Sequence, residues 1–223
     1  MRFLALIPAR SGSKRLPGKN AATINGKSLV WYAVKQAHQS KCFKAGVWLT
    51  TDDALTFHRG IGVELPAFAT IDRPAHLATD DAAMIAVVRH AAAVVSDDLE
   101  ISFDALALLQ PTSPLRPAED IAAACLRMES MQAEALVSVT QTRHPEVYTI
   151  GWLNRLRPVE MGKDTGPLVV PNGAIFIITK KALEEGKDWW TAVTCYAYEM
   201  PASRSVDIDT ADDLEQARRL WTE

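Results

Sequence analysis

A short segment near the amino terminus concentrates groups that bind anions. Residues 10–19 contain four basic side chains, two hydroxyls and a glycine that could serve this purpose: Arg10, Lys14, Arg15, Lys19, Ser11, Ser13 and Gly12. A glycine lets the backbone approach a ligand closely, and successive loop amides can form an anion-binding nest. The spacing is not that of a Walker loop. A solvated basic loop is the alternative, but in a chain of formal net charge -3 a phosphate site explains the cluster better.

A pair of carboxylates near the other end of the chain could hold a metal ion. Asp207 and Asp209 point to the same face if their segment is extended, since side chains alternate along a strand. Two carboxylates on one face suit a hard cation such as Mg²⁺. The same acids could instead cap the helix that follows. The residues alone leave both possibilities open.

The elements around these groups indicate an α/β fold with three layers and a mostly parallel sheet. The apolar run Phe3 to Ile7 predicts a strand buried on both faces, and residues 9–27 form a long loop directly after it. Ligands of open α/β sheets bind beyond the carboxyl ends of strands, where this loop lies. Further strands are predicted at 46–49, 105–109, 135–139 and 174–178. Helices are predicted at 28–38, 82–95, 118–128 and 211–221, the first capped by Ser28 and the last by Thr210, and the run Thr51-Asp52-Asp53 opens a further helix toward His58.

Length and composition favour one domain over residues 1–223, because a chain of this size can bury a substantial core. Residues 142–171 hold four prolines without sustained periodicity, which indicates an insertion of short strands or an arm. The three cysteines lack metal-ligand spacing, and the amino-terminal apolar run is too short for a signal peptide. We therefore expect a cytoplasmic protein that binds neither nucleic acid nor membrane.

Four segments, in this order, resemble the signatures of the acylneuraminate cytidylyltransferases. The first is Ile7 to Asn20, which matches the form IPAR-x-GSK-x4-KN, and the second is LQPTSPLR at Leu109 to Arg116. The third is Asn172-Gly173-Ala174-Ile175-Phe176, and the fourth runs from Asp207 to Leu214. The matches extend over nearly the whole chain. Cytidylyltransferases for the eight-carbon sugar Kdo share the R-L-P-G-K string but differ in the second motif.

The resemblance implies a nucleotidyltransferase of glycosyltransferase-A-like fold that joins CMP from CTP to the anomeric hydroxyl of a nine-carbon acidic sugar and releases pyrophosphate. It implies a homodimer, with residues 142–171 reaching toward the partner, and Mg²⁺ on Asp207 and Asp209. Catalytic roles fall on Arg10, Lys14, Lys19 and Asp209. Nucleotide contacts fall on Ala9, Arg10, Gly12, Ser13, Asn20, Arg73 and Ala82, with Arg73 meeting the cytosine, and sugar contacts on Gln110 and Asn172.

Two departures from the family pattern bear on the substrate. Met84 stands where relatives commonly carry a hydroxyl, and residues 166–171 are shorter and more apolar than the corresponding family segment. The chain could therefore act on legionaminic, pseudaminic or Kdo sugars in place of sialic acid. A non-catalytic nucleotide-binding protein on the same fold is the alternative of another class.

Overall fold

The computed structural model describes residues 1–13, 16–61, 65–142, 148–150, 156–158 and 168–221. The strands are β1 (Phe3–Pro8), β2 (Thr23–Ile24), β3 (Lys27–Ser28), β4 (Val47–Thr51), β5 (Ala69–Asp72), β6 (Ala105–Leu108), β7 (Ala135–Gln141), β8 (Tyr148–Ile150), β9 (Leu156–Pro158), β10 (Leu168–Thr179) and β11 (Cys195–Glu199). The α-helices are α1 (Leu29–Ser40), α2 (Ala54–Ile61), α3 (Met84–Ala93), α4 (Ala118–Ser130), α5 (Lys180–Glu184) and α6 (Ala211–Leu220).

The central sheet is mostly parallel, as predicted. Its main strands lie in the order β11-β7-β10-β6-β1-β4-β5. β1 pairs in parallel with β4 and β6, β4 with β5, and β7 with β11. β10 is antiparallel to both β6 and β7, and β8 and β9 extend the sheet beside it. The carboxyl ends of β1, β4, β5 and β6 therefore meet at one edge.

Alternation along β1 explains the three layers. Phe3, Ala5 and Ile7 belong to a core cluster shared with helices α1, α4 and α6, while Leu4 and Leu6 belong to a second cluster shared with α3 and α5. Successive side chains of a strand point to opposite faces, so a continuous apolar run is required when helices cover both. The sequence pattern of this strand thus predicts the layering correctly.

The structure also contains elements that the periodicity did not reveal. β5 buries only Ile71 among its four residues, and β11 alternates too weakly to stand out. Within the predicted loop 9–27, β2 and β3 form a hairpin turned by Asn25 and Gly26, both at positive φ. An Asn-Gly pair is a strong hairpin signal and could have identified this turn. The predicted helix at 82–95 is shorter, since α3 ends at Ala93 and continues as a π-helical turn.

The predicted insertion at 142–171 lies largely outside the described residues. The structure places β8 and β9 within it, and its contact with a partner chain stays a prediction. Across the part of the chain that is described, no helix has both the length and the apolar character needed to cross a bilayer.

Candidate active site

A cleft of about 260 Å³ opens at the carboxyl edge of the sheet. Its lining joins residues that are far apart in sequence and that lie beyond the ends of β1, β5 and β6 and before α6. The lining residues are Pro8, Arg10, Gly12, Ser13, Lys19, Asn20, Arg73, Met84, Gln110, Pro111, Thr112, Asp207 and Asp209. Nine of the predicted site residues therefore share one cavity: Arg10, Gly12, Ser13, Lys19, Asn20, Arg73, Gln110, Asp207 and Asp209.

The basic loop faces the two carboxylates across this cleft. Lys19 Nζ lies 2.8 Å from Asp209 Oδ1, although 190 residues separate them in the chain. Gly18 adopts a left-handed conformation (φ 67°), which turns the chain into the 3₁₀ helix that begins at Lys19. The Asn20 side chain donates to the carbonyl oxygen of Arg10 at 3.0 Å and so ties the two ends of the loop together. Arg10 itself pairs with Asp80.

Arg73 brings a buried cation to the floor of the cleft. It follows β5 directly and is only 6% exposed. Its guanidinium donates from Nη2 to the carbonyl oxygen of Thr50 at 2.8 Å. Burial lowers the pKa of Arg73 to about 10, with a smaller contribution from the nearby Arg10 charge and opposition from Asp52. The side chain still carries its charge at neutral pH.

The segment that carries the two acids is fixed from both sides. Ile208 is fully buried, and its amide donates to the carbonyl oxygen of Thr112 at 2.8 Å. With Ile208 directed inward, Asp207 and Asp209 both line the cleft. The capping of α6 is carried out by Thr210 and Asp213 in a reciprocal capping box. The alternative that these two acids are merely capping residues is therefore not needed to explain this helix start.

The carboxyl group of Asp207 lies in an electrostatically unfavourable environment. Desolvation by the surrounding protein raises the pKa of its carboxyl, and repulsion from Asp209 adds to this shift, while the nearby Thr112 hydroxyl opposes it. A cation between the two acids would relieve the repulsion. Among the described residues no cluster of three or more metal-ligating side chains is found, so the pair would supply only part of a coordination shell.

The backbone of Gln110 is held by a buried arginine that is not among the predicted site residues. Arg116 is fully buried, and its Nη1 donates to the carbonyl oxygens of Ala174 and, at 3.4 Å, Gln110. Its Nη2 donates to Gln36 Oε1 at 3.2 Å, and Gln36 in turn donates to the carbonyl oxygen of Pro114. Burial lowers the pKa of Arg116 to about 9. The loop after β6 is thus fixed from beneath.

Three predicted site residues within the described part of the chain are not part of this lining. Ala9 is fully buried, and its amide bonds to the carbonyl oxygen of Thr50 at 3.0 Å. Ala82 precedes α3, whose first residue, Met84, lines the cleft instead. Lys14 lies outside the described residues.

Asn172 is the third, and it is 4% exposed. Its Oδ1 accepts from Ser138 Oγ at 2.6 Å and from the Ala174 amide at 3.2 Å. Its Nδ2 donates to Ser205 Oγ at 2.9 Å and to the sulfur of Met200. A side chain with these bonds supports the neighbouring backbone and does not face the cavity. The next residue, Gly173, lies against the carboxyl group of Asp207.

Residues of the loop after β1, the buried arginine and the paired acids therefore meet in one cleft at the edge of the sheet. A family model described as cytidylyltransferase matches residues 4–152. The N-acylneuraminate cytidylyltransferase of Streptococcus agalactiae serotype V is 33% identical, over 96% of this chain and 52% of the relative. The CMP-N,N'-diacetyllegionaminic acid synthase of Legionella pneumophila is 32% identical, over 99% and 96% of the two chains. The pseudaminic acid cytidylyltransferase of Campylobacter jejuni is 30% identical, over 99% and 97%.

A solved CMP:2-keto-3-deoxy-manno-octonic acid synthetase complexed with CTP superimposes with a TM-score of 0.75 and 17% identity, covering 99% of this chain and 98% of that one. At this identity the likeness concerns the fold alone. The chain belongs to the cytidylyltransferase family. It spans about half the length of the Streptococcus agalactiae relatives.

Proposed function

We propose that the protein transfers CMP from CTP to the anomeric hydroxyl of a sialic-acid-like nonulosonic acid, with release of pyrophosphate. One observation carries the proposal: Lys19, from the loop after β1, meets Asp209, from the segment before α6, in the same cleft. The arrangement supplies both cations for phosphates and acids for a metal. Relatives whose names specify acylneuraminate, legionaminic and pseudaminic substrates support the sugar class.

The chain's own residues would act mainly by positioning and charge neutralisation, as in most phosphoryl-type transfers. Arg10 and Lys19 would exchange their present acid partners for the triphosphate and stabilise the charge of the departing pyrophosphate. The amides and hydroxyl of Gly12 and Ser13 would orient the phosphates, and Arg73 would approach the base. Gln110, whose backbone carbonyl oxygen accepts from Arg116, would contact the sugar.

Asp207 and Asp209 fit Mg²⁺, which is commonly held by one or two carboxylates together with substrate phosphates and water. The raised pKa of Asp207, caused by burial and by the charge of Asp209, supports this assignment because a bound cation would offset both effects. When bound, the ion would polarise the α-phosphate of CTP and lower the pKa of the attacking hydroxyl.

The decisive experiment measures pyrophosphate release from CTP and Mg²⁺ with a panel of sialic, legionaminic, pseudaminic and Kdo sugars. We expect the highest kcat/KM with a nine-carbon sugar. Preference for Kdo would overturn the substrate class. The absence of release with every sugar, despite CTP binding, would favour a non-catalytic nucleotide-binding protein.

The role of the acids can be tested separately. Asp209→Ala should reduce kcat by at least about 10²-fold while the fold is retained, because a metal-held charge is lost at the reacting phosphate. Asp212→Ala is the matched control, since it removes an exposed acid from the first turn of the same helix. Equal turnover in both variants would contradict the metal assignment.

The location and assembly belong to the same proposal. Three free cysteines suit the reducing cytoplasm. A homodimer through residues 142–171 is proposed from the family resemblance, and light scattering would test it. A monomer at micromolar concentration would contradict it.

A further inference from the structure

Asp52, at the end of a neighbouring strand, binds the basic loop that follows β1. It follows β4 directly, and its carboxylate accepts two hydrogen bonds from one residue of the loop after β1. Ser11 donates its backbone amide to Asp52 Oδ1 at 2.7 Å and its hydroxyl to Asp52 Oδ2 at 2.8 Å. Both oxygens of the carboxylate are thus used on Ser11, and the contact fixes the backbone and the side chain of that residue together.

The register of the sheet brings the two residues together. β1 and β4 are parallel, with Pro8 opposite Thr50, and the amide of Ala9 continues the pairing by donating to Thr50 O at 3.0 Å. Both chains then leave the sheet at the same edge. Asp52 is two residues beyond Thr50, and Ser11 is three beyond Pro8, so the carboxylate can reach across to the loop.

The contact decides which parts of the loop face the cleft. Ser11 does not line the cavity, whereas the next two residues, Gly12 and Ser13, do. The amide and hydroxyl of Ser11 are therefore directed to Asp52 and are not presented to a ligand. The direction in which the chain enters Gly12 is set at this point.

We propose that Asp52 is a positioning residue that holds the loop so that Gly12 and Ser13 present their amides to the phosphates of CTP. This inference rests on the proposed function for the identity of the ligand. The role is geometric, because the negative charge of Asp52 would by itself repel the triphosphate. Arg73, whose charge also acts on Asp52, compensates part of that charge.

The test uses two substitutions of Asp52 and a control next to it in the chain. Asp52→Ala removes both hydrogen bonds. Asp52→Asn removes the charge but keeps a group that can accept from the Ser11 amide and donate to its hydroxyl. Asp53→Ala is the matched control, because the carboxylate of Asp53 accepts from the Thr56 amide at the start of α2.

The kinetic outcome separates the possibilities. We expect Asp52→Ala to raise KM for CTP by about tenfold with kcat changed by less than about threefold, because a misplaced loop weakens phosphate binding. Asp52→Asn and Asp53→Ala should remain within about threefold of the wild type in KM. An unchanged KM in Asp52→Ala would overturn the proposal. So would an equal loss in Asp52→Asn, which would show that the charge acts and not the geometry.

A second measurement does not need turnover. Trypsin can cleave the loop after Lys14, Arg15 and Lys19, and the rate of cleavage there reports how firmly the loop is held. Asp52→Ala should be cleaved in the loop at least about tenfold faster than the wild type, whereas Asp52→Asn and Asp53→Ala should not. If no sugar supports pyrophosphate release but this difference in cleavage appears, the proposed function is wrong, whereas the positioning role of Asp52 is supported. If release is normal and the cleavage rates are equal, only the positioning role of Asp52 is wrong.

Discussion

Gly173 offers the sharpest test of how the fold places an acid in the cleft. Its φ of +75° lies in the left-handed region, and a Cβ added there would lie 2.9 Å from Asp207 Oδ2 and 3.0 Å from Asp207 Cγ. Such distances are below normal contact, so the carboxylate would have to move. Gly173→Ala therefore changes the position of Asp207 without altering any ionisable group.

Two effects of different size are expected. The left-handed conformation costs a non-glycine residue about 1–2 kcal/mol. For a chain of this length, 1 kcal/mol corresponds to roughly 2–4 °C in Tm, so the variant should melt about 2–8 °C below the wild type. The carboxylate is the end of a side chain and can yield, which limits the further loss of stability. Its displacement by about 1 Å should nevertheless reduce kcat by about 10²-fold, as misplaced catalytic groups do.

Gly186→Ala is the matched control. Gly186 has φ +77°, and a Cβ built there meets no atom within 4 Å. Both variants should show the same conformational cost in thermal unfolding, but only Gly173→Ala should lose pyrophosphate release. If Gly173→Ala turns over like Gly186→Ala, then the placement of Asp207 against Gly173 does not matter for the reaction, and the reasoning is refuted.

Two further predictions concern buried charge. Arg116→Ala should lower the free energy of unfolding by roughly 3–5 kcal/mol, because it leaves the carbonyl groups of Gln110 and Ala174 without their buried donor. Urea titration measures this loss, and a value below about 1 kcal/mol would contradict the prediction. Asp207→Asn, melted in EDTA, should be more stable than the wild type at pH 7. Burial raises the pKa of the Asp207 carboxyl, and the charge of Asp209 raises it further. The folded protein therefore loses stability as the pH rises through that pKa and Asp207 ionises. The advantage should vanish near pH 3, where the carboxyl is protonated in both the folded and the unfolded state, and an equal Tm at pH 7 would count against the shift.

The parts of the fold that the sequence predicts are those with strong local signals. The unbroken apolar run of β1 indicates a strand covered on both faces, and Ser28 caps α1 through the Trp31 amide as expected. β5 and β11 lack such signals, because each is short and owes its place to a neighbour already in the sheet. Pairing between distant segments is not visible in the local pattern, so these edge strands could not be found from it.

The difference between local signals and distant pairing also applies to the contact between Asp52 and the loop after β1. The run Thr51-Asp52-Asp53 predicts a helix start, and Asp53 indeed accepts from the amide of Thr56 in the first turn of α2. Asp52 looks equivalent in the sequence, yet it bonds to Ser11, 41 residues earlier. Nothing local separates the two acids. Only the parallel register of β1 and β4 directs one of them to the helix and the other to the loop.

Asn172 and Arg116 show why a motif predicts a site better than it predicts the role of each residue. Both lie in segments that resemble family signatures, and both are buried side chains that hold backbone near the cleft. Asn172 accepts from the Ala174 amide, and Arg116 donates to the Ala174 carbonyl oxygen. Asn172 supports the turn in which Gly173 makes room for Asp207, and Arg116 holds the backbone of Gln110. A polar side chain can be required in a motif because it contacts a ligand or because it fixes a residue that does. These two requirements leave the same mark in the sequence, and burial together with hydrogen bonding separates them.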